Sequence, residues 1–432
     1  KPKSSVFYSK EGFAAVALSW IILSLIGALP MYLTGEFPSY IDALFETISG
    51  FTTTGSSILS DVEALSRGTA FWRCFTHWIG GMGVLVFIMA VMPLSDSSSM
   101  HLMRAESPGP SVGKLVPKVK STAMILYGIY VVFTVIEIIA LLIAGMPLFD
   151  SMTLTFGTVG TGGFGLLNSS IASYSTAVQI IITVFMIICS INFTVYYMFL
   201  IKRPKEALMC EEMRYYLLIV FGSALLIAFN IRANFASFGK AFQQAIFQVA
   251  SVISTTGFAT ADFNLWPEFS RTILVLLMFV GACAGSTGGG IKVSRLIIMV
   301  KSVRNEIMSV THPRSVQKVH MDGRRIPDNV VKTVLCYLAG YVVILIVSVL
   351  LISLDNFDMT TNFTAVMATF NNVGPGLNRV GPTGNFGGFS VLSKLVLMFD
   401  MLVGRLELFP MLVIFAPGLW RIHPHRHVGK VQ

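Results

Sequence analysis

The chain has 432 residues, of which 54% are hydrophobic and only 12% are charged, with a formal net charge of +9. A mean hydropathy of +0.73 lies far outside the range of soluble globular domains, which excludes a soluble enzyme or a nucleic-acid-binding module. We therefore expect an integral membrane protein that lies in a lipid bilayer.

Eight apolar runs are long enough to be compared with the roughly 20 residues that a membrane-spanning helix requires. In chain order they cover residues 13–33, 71–93, 122–144, 174–200, 214–230, 270–300, 332–354 and 390–417. No charged and apolar leader precedes the first run, so we expect no signal peptide.

Lys and Arg concentrate in alternate connections between these runs, and such connections are typically cytoplasmic. The basic segments are residues 1–12, 94–121, 201–214, 291–332 and 418–432. Both termini are therefore expected in the cytoplasm. The opposite connections are richer in Asp and Glu, which predicts a locally acidic outer face.

The four outer connections resemble one another, and each is too apolar for a solvated loop and too short to cross the bilayer. They read YIDALFETISGFTTTGSS (40–57), LFDSMTLTFGTVGTGGFG (148–165), KAFQQAIFQVASVISTTGFAT (240–260) and MTTNFTAVMATFNNVGPG (359–376). Each has a short amphipathic stretch, then Thr or Asn, then Gly. Asp42, Asp150 and Thr361 are suited to cap the starts of short helices there.

This repeat predicts an all-α membrane protein with four units of span, re-entrant hairpin and span around one central pore. The expected units are residues 13–121, 122–213, 214–331 and 332–417, between a cytoplasmic N-terminus (1–12) and a cytoplasmic tail (418–432). Non-helical backbone at membrane depth is tolerated only where protein or water covers its polar groups. Four such segments around one axis can present carbonyl oxygens to a desolvated alkali cation, so the pattern indicates a cation pore.

Two nucleotide-binding interpretations fail. Gly160, Gly162 and Gly165 satisfy GxGxxG, but no βαβ unit surrounds them. The stretch GSTGGGIK (285–292) departs from a Walker A loop because Ile291 separates glycine from lysine. We expect no organic cofactor on this chain, and no Ser/His/Asp set, HExxH motif or paired carboxylates on a span indicate an enzyme.

Several long stretches carry a family resemblance. They are DALFETISGFTTTGSS, FWRCFTHWIGGMGVLVF, RAESPGP, ISTTGFATADFNLWP, GACAGSTGGGIKVSRL and NNVGPGLNRVGPTGNF. In these stretches the chain resembles the superfamily of K+ transporters that comprises TrkH, KtrB and the plant HKT proteins, and most of all the TrkH type. The resemblance implies four M1-P-M2 repeats, K+ uptake across the plasma (inner) membrane and a homodimer. It also implies a cytoplasmic ring of TrkA-type subunits, which would bind the regulatory nucleotide in place of this chain.

The resemblance implies a selectivity filter at the aligned glycines and the residues before them. These residues are Thr53, Thr54, Gly55, Gly162, Gly163, Thr255, Thr256, Gly257, Asn372, Val373 and Gly374. K+ itself is expected at Thr54, Gly55, Gly163, Thr256, Gly257, Val373 and Gly374. With one such glycine per repeat, the filter is expected to pass K+ and Rb+ and to exclude Na+ less strictly than a TVGYG channel does.

The sixth predicted span contains GACAGSTGGG (281–290), whose glycines should break the helix at mid-membrane unless they serve close helix packing. The resemblance implies an intramembrane gating loop that plugs the path. The expected gate residues are Gly281, Gly285, Gly288, Gly289, Gly290 and Arg405. Arg405 lies too deep for a free surface charge. It is expected to contact loop carbonyls in the closed state, with an ion pair to Asp400 or Glu407 as the alternative.

Two functions remain open at this stage. One is a gated K+-conducting pore that a partner opens, and the other is a symporter that couples K+ to Na+ or H+. The sequence indicates an ion path but says nothing of coupling. The basic connection 301–325 is interpreted as a docking surface for an acidic partner, with a purely topological signal as the alternative.

Overall fold

The computed structural model describes residues 9–83, 119–312 and 317–416. Its helices are α1 (Ser9–Leu33), α2 (Tyr40–Phe51), α3 (Arg67–Gly81), α4 (Val119–Ile143), α5 (Leu148–Val159), α6 (Thr176–Cys189), α7 (Phe193–Leu200), α8 (Pro204–Met209), α9 (Glu211–Ile231), α10 (Phe238–Ile253), α11 (Glu268–Val280), α12 (Val293–Thr311), α13 (Asp328–Ile352), α14 (Met359–Phe370), α15 (Val391–Arg405) and α16 (Phe409–Val413). Short 3-10 helices cover Arg232–Asn234, Phe263–Leu265, Ser353–Asp355 and Asn378–Val380. An antiparallel hairpin of β1 (His320–Met321) and β2 (Arg324–Arg325) is a small exception to the all-α prediction.

Within the described residues, four single helices are long and apolar enough to cross a bilayer: α1, α4, α9 and α13. They coincide with the first span predicted for each repeat. Their outward faces carry large exposed apolar side chains such as Ile26, Ile143, Leu218 and Leu350. Lipid contact explains this exposure, because an aqueous surface would not retain it over such lengths.

The second predicted spans are interrupted more often than the sequence indicated. In the predicted span 174–200, α6 and α7 meet at 88°. In 390–417, α15 ends at Arg405 and α16 begins only at Phe409. The predicted break in 270–300 is present between α11 and α12, and the predicted span 71–93 continues past residue 83, outside the described residues.

The re-entrant stretches form α2, α5, α10 and α14, and each has a largely buried surface. Their expected first residues were wrong by a few positions. Ser39, Ser237 and Asp358 accept hydrogen bonds from backbone N–H groups of the first turn, and Pro147 precedes α5 without a side-chain cap. The carboxylates predicted as caps instead lie inside the first turn, where the helix dipole also favours negative charge.

Candidate functional site

Each re-entrant helix is followed by the same backbone turn, which ends at a glycine with a positive φ angle. These glycines are Gly55 (φ +79°), Gly163 (+79°), Gly257 (+87°) and Gly374 (+99°). The residues two positions earlier are also left-handed, namely Thr53 (φ 53°), Thr161 (55°), Thr255 (59°) and Asn372 (55°). Left-handed non-glycine residues are uncommon. Four of them at equivalent positions therefore establish one backbone motif repeated four times.

The four glycines form a closed ring in which each faces a carbonyl oxygen of the next repeat. The distance from a Cβ atom added at the glycine to that carbonyl oxygen would be 2.1 Å (Gly55 to Gly162), 1.8 Å (Gly163 to Thr256), 2.3 Å (Gly257 to Val373) and 2.7 Å (Gly374 to Thr54). We call these eight residues the glycine ring. Glycine is required at these positions because a side chain would press on the neighbouring carbonyl and also demand a strained backbone.

Backbone hydrogen bonds hold each segment of the ring over the end of its own helix. The residue before each glycine donates its N–H to the carbonyl five residues earlier: Thr54 to Ser49 (2.8 Å), Gly162 to Gly157 (2.7 Å), Thr256 to Ser251 (2.9 Å) and Val373 to Ala368 (2.7 Å). Gly163 is thus the counterpart of the other ring glycines, and Gly162 takes the position that Thr54 occupies in the first repeat. The structure brings all eleven predicted filter residues into these turns, and it adds Thr161, which the sequence prediction omitted.

A cavity of about 150 Å³ lies against the ring glycines. Asn168 lines it and donates a side-chain hydrogen bond to the carboxylate of Asp61 at 2.8 Å, which lowers the pKa of Asp61. A hydrogen bond from the Thr361 side chain likewise lowers the pKa of Asp358. In both cases the hydrogen bond favours the charged form of an exposed carboxylate.

Two of the acids expected to make the outer face acidic are instead paired in the interior. Glu46 is fully buried and forms an ion pair with Arg73 at 2.6 Å. Asp42 forms another with Lys394, also at 2.6 Å. These pairs hold α2 against α3 and α15, and each pair adds little net charge to its surroundings.

The break between α11 and α12 is a loop that packs against the ends of two re-entrant helices. Gly281 (φ +67°), Gly285 (+68°) and Gly290 (+78°) allow its turns. A Cβ added at Gly288 would lie 2.8 Å from the Ser254 carbonyl oxygen, and one at Gly289 would lie 2.6 Å from that of Asn371. The Gly289 N–H donates to the Thr255 hydroxyl at 2.6 Å. We call residues 281–292 the intramembrane loop, and it touches the glycine ring segments of repeats 3 and 4.

Arg405 connects the intramembrane loop to the first repeat. Its Nη1 donates to the carbonyl oxygen of Thr287 at 2.8 Å and to the hydroxyl of Thr53 at 3.2 Å. Its Nη2 donates to the carbonyl oxygen of Gly81 at 2.7 Å and to that of Gly80. One guanidinium thus contacts the loop, a residue of the turn before Gly55 and the end of α3.

The two acids considered as alternative partners of Arg405 contact other residues. Glu407 forms an ion pair with Arg295, whose guanidinium also lies 4.1 Å from the centroid of the Tyr337 ring. Asp400 accepts a hydrogen bond from Ser348 at 2.7 Å. Arg405 itself contacts a carbonyl of the intramembrane loop, that of Thr287.

Two anchors of the intramembrane loop were not predicted. The carboxylate of Glu212 accepts the backbone N–H group of Ala284, within the loop, at 2.7 Å and that of Ser294, in the first turn of α12, at 3.0 Å. The Lys292 ammonium donates to the Gly288 carbonyl within the loop. The only sequence signal for Glu212 is an acidic pair at the start of a span, in a segment where basic residues predominate.

The break in the second repeat forms the third anchor. The Cys283 N–H donates to the Ser190 carbonyl at 3.0 Å, and the Phe193 N–H donates to the Gly285 carbonyl at 3.0 Å. The sequence prediction treated 174–200 as one span, so it missed this contact. Backbone groups freed by the break are satisfied by the loop, which explains why a break is tolerated at this depth.

Comparison with known proteins gives one consistent result. A family model described as TrkH, cation transport protein, matches residues 1–422. The Trk system potassium uptake protein TrkH of Salmonella typhimurium (strain LT2) is 36% identical over 423 residues, which are 96% of this chain and 86% of that protein. The Trk system potassium uptake protein TrkG of Escherichia coli (strain K12) is 32% identical over 418 residues, with the same coverage. The crystal structure of the potassium transporter TrkH from Vibrio parahaemolyticus superposes with a TM-score of 0.87 at 32% identity, over 98% of this chain and 88% of that one.

Proposed function

Because the chain belongs to the TrkH family of cation transport proteins, whose members are transporters and not enzymes, we propose that it mediates potassium uptake across the plasma (inner) membrane. Relatives over almost the whole chain are named potassium uptake proteins. The observation that carries the proposal is the glycine ring, in which four equivalent segments bring a carbonyl oxygen of each repeat against a glycine of the next.

In this proposal the glycine ring is the selectivity filter. Carbonyl oxygens can replace the hydration shell of K+ and Rb+, and a filter with a single ring glycine per repeat discriminates less strictly against Na+. K+ occupies the ring at the positions named above, and it enters through the cavity that Asn168 lines. The transported ion is the only ligand that the proposal requires on this chain.

The intramembrane loop is the gate in this proposal, and Arg405 stabilises its closed state. A homodimer and a cytoplasmic ring of TrkA-type nucleotide-binding subunits complete the assembly. The TrkA-type subunits would dock on the basic connection 301–325, which begins in α12 beyond the intramembrane loop. A movement of α12 caused by the partner would therefore act directly on the C-terminal end of the gate.

The test is cation flux into liposomes that contain only the purified protein. We expect influx of K+ and Rb+ that exceeds Na+ influx, driven by membrane voltage alone, with no Na+ or pH gradient. Liposomes without protein give the background. Flux that strictly requires a Na+ or H+ gradient would replace the pore with coupled symport, and a lack of any K+ flux would refute the proposal.

Loosening the loop anchor should raise the basal flux. In Glu212→Ala the N–H groups of Ala284 and Ser294 lose their acceptor, and each buried unpaired donor destabilises the closed arrangement. We expect basal K+ flux in liposomes to rise by about tenfold, because such losses amount to 1 kcal/mol or more. Glu206→Ala, which removes an exposed carboxylate on α8, is the matched control and should behave as the wild type. Unchanged flux in a Glu212→Ala protein that melts normally would remove Glu212 from the gate.

A further inference from the structure

A fully buried histidine links the first re-entrant helix to the ring segment of the second repeat. His77 lies on α3, in the stretch FWRCFTHWIGG, and is 0% exposed. Its Nδ1 lies 2.7 Å from the carbonyl oxygen of Gly50, in the last turn of α2. Its Nε2 accepts the N–H of Phe164 at 3.2 Å. Since Nε2 accepts a hydrogen bond, the proton is on Nδ1, which donates to the Gly50 carbonyl.

The same imidazole fills the space beside Gly162. A Cβ atom added to Gly162 would lie 2.1 Å from Cγ and 2.2 Å from Nδ1 of His77. The centroid of the imidazole lies 4.2 Å from the centroid of the Phe164 ring. Both neighbours of the ring glycine Gly163 are thus in contact with one side chain, which belongs to another repeat.

The other three segments have a side chain where the second has Gly162. The Thr54 hydroxyl lies 2.8 Å from that of Thr52 and accepts a hydrogen bond from Asn372 at 2.9 Å. The Thr256 hydroxyl lies 2.7 Å from that of Ser254. The fourth repeat has a buried valine at this position. Only in the second repeat is the position empty, and there His77 supplies the missing volume and the hydrogen bonds.

One helical turn before His77, Arg73 contacts the same segment. Its Nη1 donates to the Gly165 carbonyl at 3.0 Å, and its guanidinium lies 3.6 Å from the centroid of the Phe164 ring. Its Nε is held by Glu46 of α2. A single face of α3 therefore fixes the backbone immediately after Gly163, and His77 is the member of that face that lies against the ring itself.

We propose that His77 is a positioning residue for the selectivity filter and sets the preference between alkali cations by holding the second-repeat segment in place. This inference rests on the proposed function, because it assigns a cause to the selectivity of that pathway. His77 need not touch the ion. It holds Gly162 and Gly163 in place through its contacts with Gly162 and Phe164. The side chains of Thr54 and Thr256 support the segments of repeats 1 and 3 in the same way.

Two substitutions separate the two hydrogen bonds. In His77→Asn the amide nitrogen can replace Nδ1 as donor to Gly50, while the acceptor for Phe164 is lost. In His77→Gln the amide oxygen can reach the position of Nε2, while the donor to Gly50 is lost. We expect both to reduce the ratio of K+ to Na+ flux in liposomes, by about tenfold for the variant that leaves the buried Phe164 N–H unpaired.

A merely structural histidine predicts a different result. It would lower K+ flux, Na+ flux and the melting temperature together and leave their ratio unchanged. The matched control is His312→Gln, at an exposed position at the end of α12, which should leave both flux and ratio as in the wild type. An unchanged ratio in folded His77→Asn and His77→Gln proteins overturns the inference. If the wild type itself carries no K+, the proposed function fails instead.

The space shared by His77 and Gly162 gives a second, independent test. Gly162→Thr alone should lose selective flux, because its Cβ would overlap the imidazole. His77→Ala alone should lose selectivity, because the segment is unsupported. In the double variant the threonine can occupy the vacated space, as in repeats 1 and 3, so we expect the K+ to Na+ ratio to recover at least about tenfold over Gly162→Thr. A double variant no better than Gly162→Thr would contradict the inference.

Discussion

Replacing Gly163 by alanine is expected to reduce K+ flux by more than about tenfold and to remove the preference of the pathway for K+ over Na+. The added Cβ would lie 1.8 Å from the Thr256 carbonyl oxygen, closer than at any other ring glycine. The backbone must also keep a φ of +79°, which disfavours alanine. Both effects displace the carbonyl that the proposed filter uses.

Two glycines separate these effects. Gly145 has a φ of +87°, but no heavy atom lies within 4 Å of its added Cβ, so Gly145→Ala carries the backbone strain without the clash. Gly128 has open space and lies within α4, so Gly128→Ala carries neither. We expect both control variants to match the wild type closely in K+ flux, in Na+ flux and in melting temperature, measured with the protein in liposomes and in solution respectively. Selective flux in Gly163→Ala equal to that in Gly145→Ala would mean that the ring is not the filter.

The repeated hairpins were accessible from the sequence because their signal is local. A buried amphipathic stretch followed by Thr or Asn and Gly determines a short helix and a left-handed turn without reference to the rest of the chain. The glycine-rich break between α11 and α12 has the same character. In both cases glycine marks the place where the backbone leaves the helix, so the sequence itself identifies the conformation.

The features that sequence reasoning missed depend on contacts between distant segments. Residues 190–192 contain neither Gly nor Pro, and they break the helix where the intramembrane loop satisfies their backbone groups. The contact between Gly162 and His77 joins residues that lie 85 positions apart in the chain. Glu407 was a plausible partner for Arg405 by sequence distance, yet the fold gives it Arg295. Such pairings follow from tertiary packing and leave no periodicity in the sequence.

Removing the guanidinium of Arg405 is expected to open the proposed gate. Its bonds to the Thr287 carbonyl and the Thr53 hydroxyl join the intramembrane loop to the turn before Gly55. Charge-assisted hydrogen bonds of this kind contribute about 1.5–3 kcal/mol each. In Arg405→Ala we therefore expect the basal K+ flux, without any cytoplasmic partner, to rise by roughly tenfold or more.

A graded series of variants distinguishes bridging by Arg405 from its charge alone. Lysine keeps the positive charge, but one ammonium on a flexible stem cannot reproduce a planar fork that reaches the loop, Thr53 and α3 together. Basal flux should therefore increase from wild type to Arg405→Lys to Arg405→Ala, while Arg379→Ala, at an exposed position of a short 3-10 helix, remains at the wild-type level. If Arg405→Lys conducts as the wild type does, the fixed charge and not the bridge controls conduction. If Arg405→Ala conducts less than the wild type while it melts normally, the arginine supports the open path instead of the closed loop.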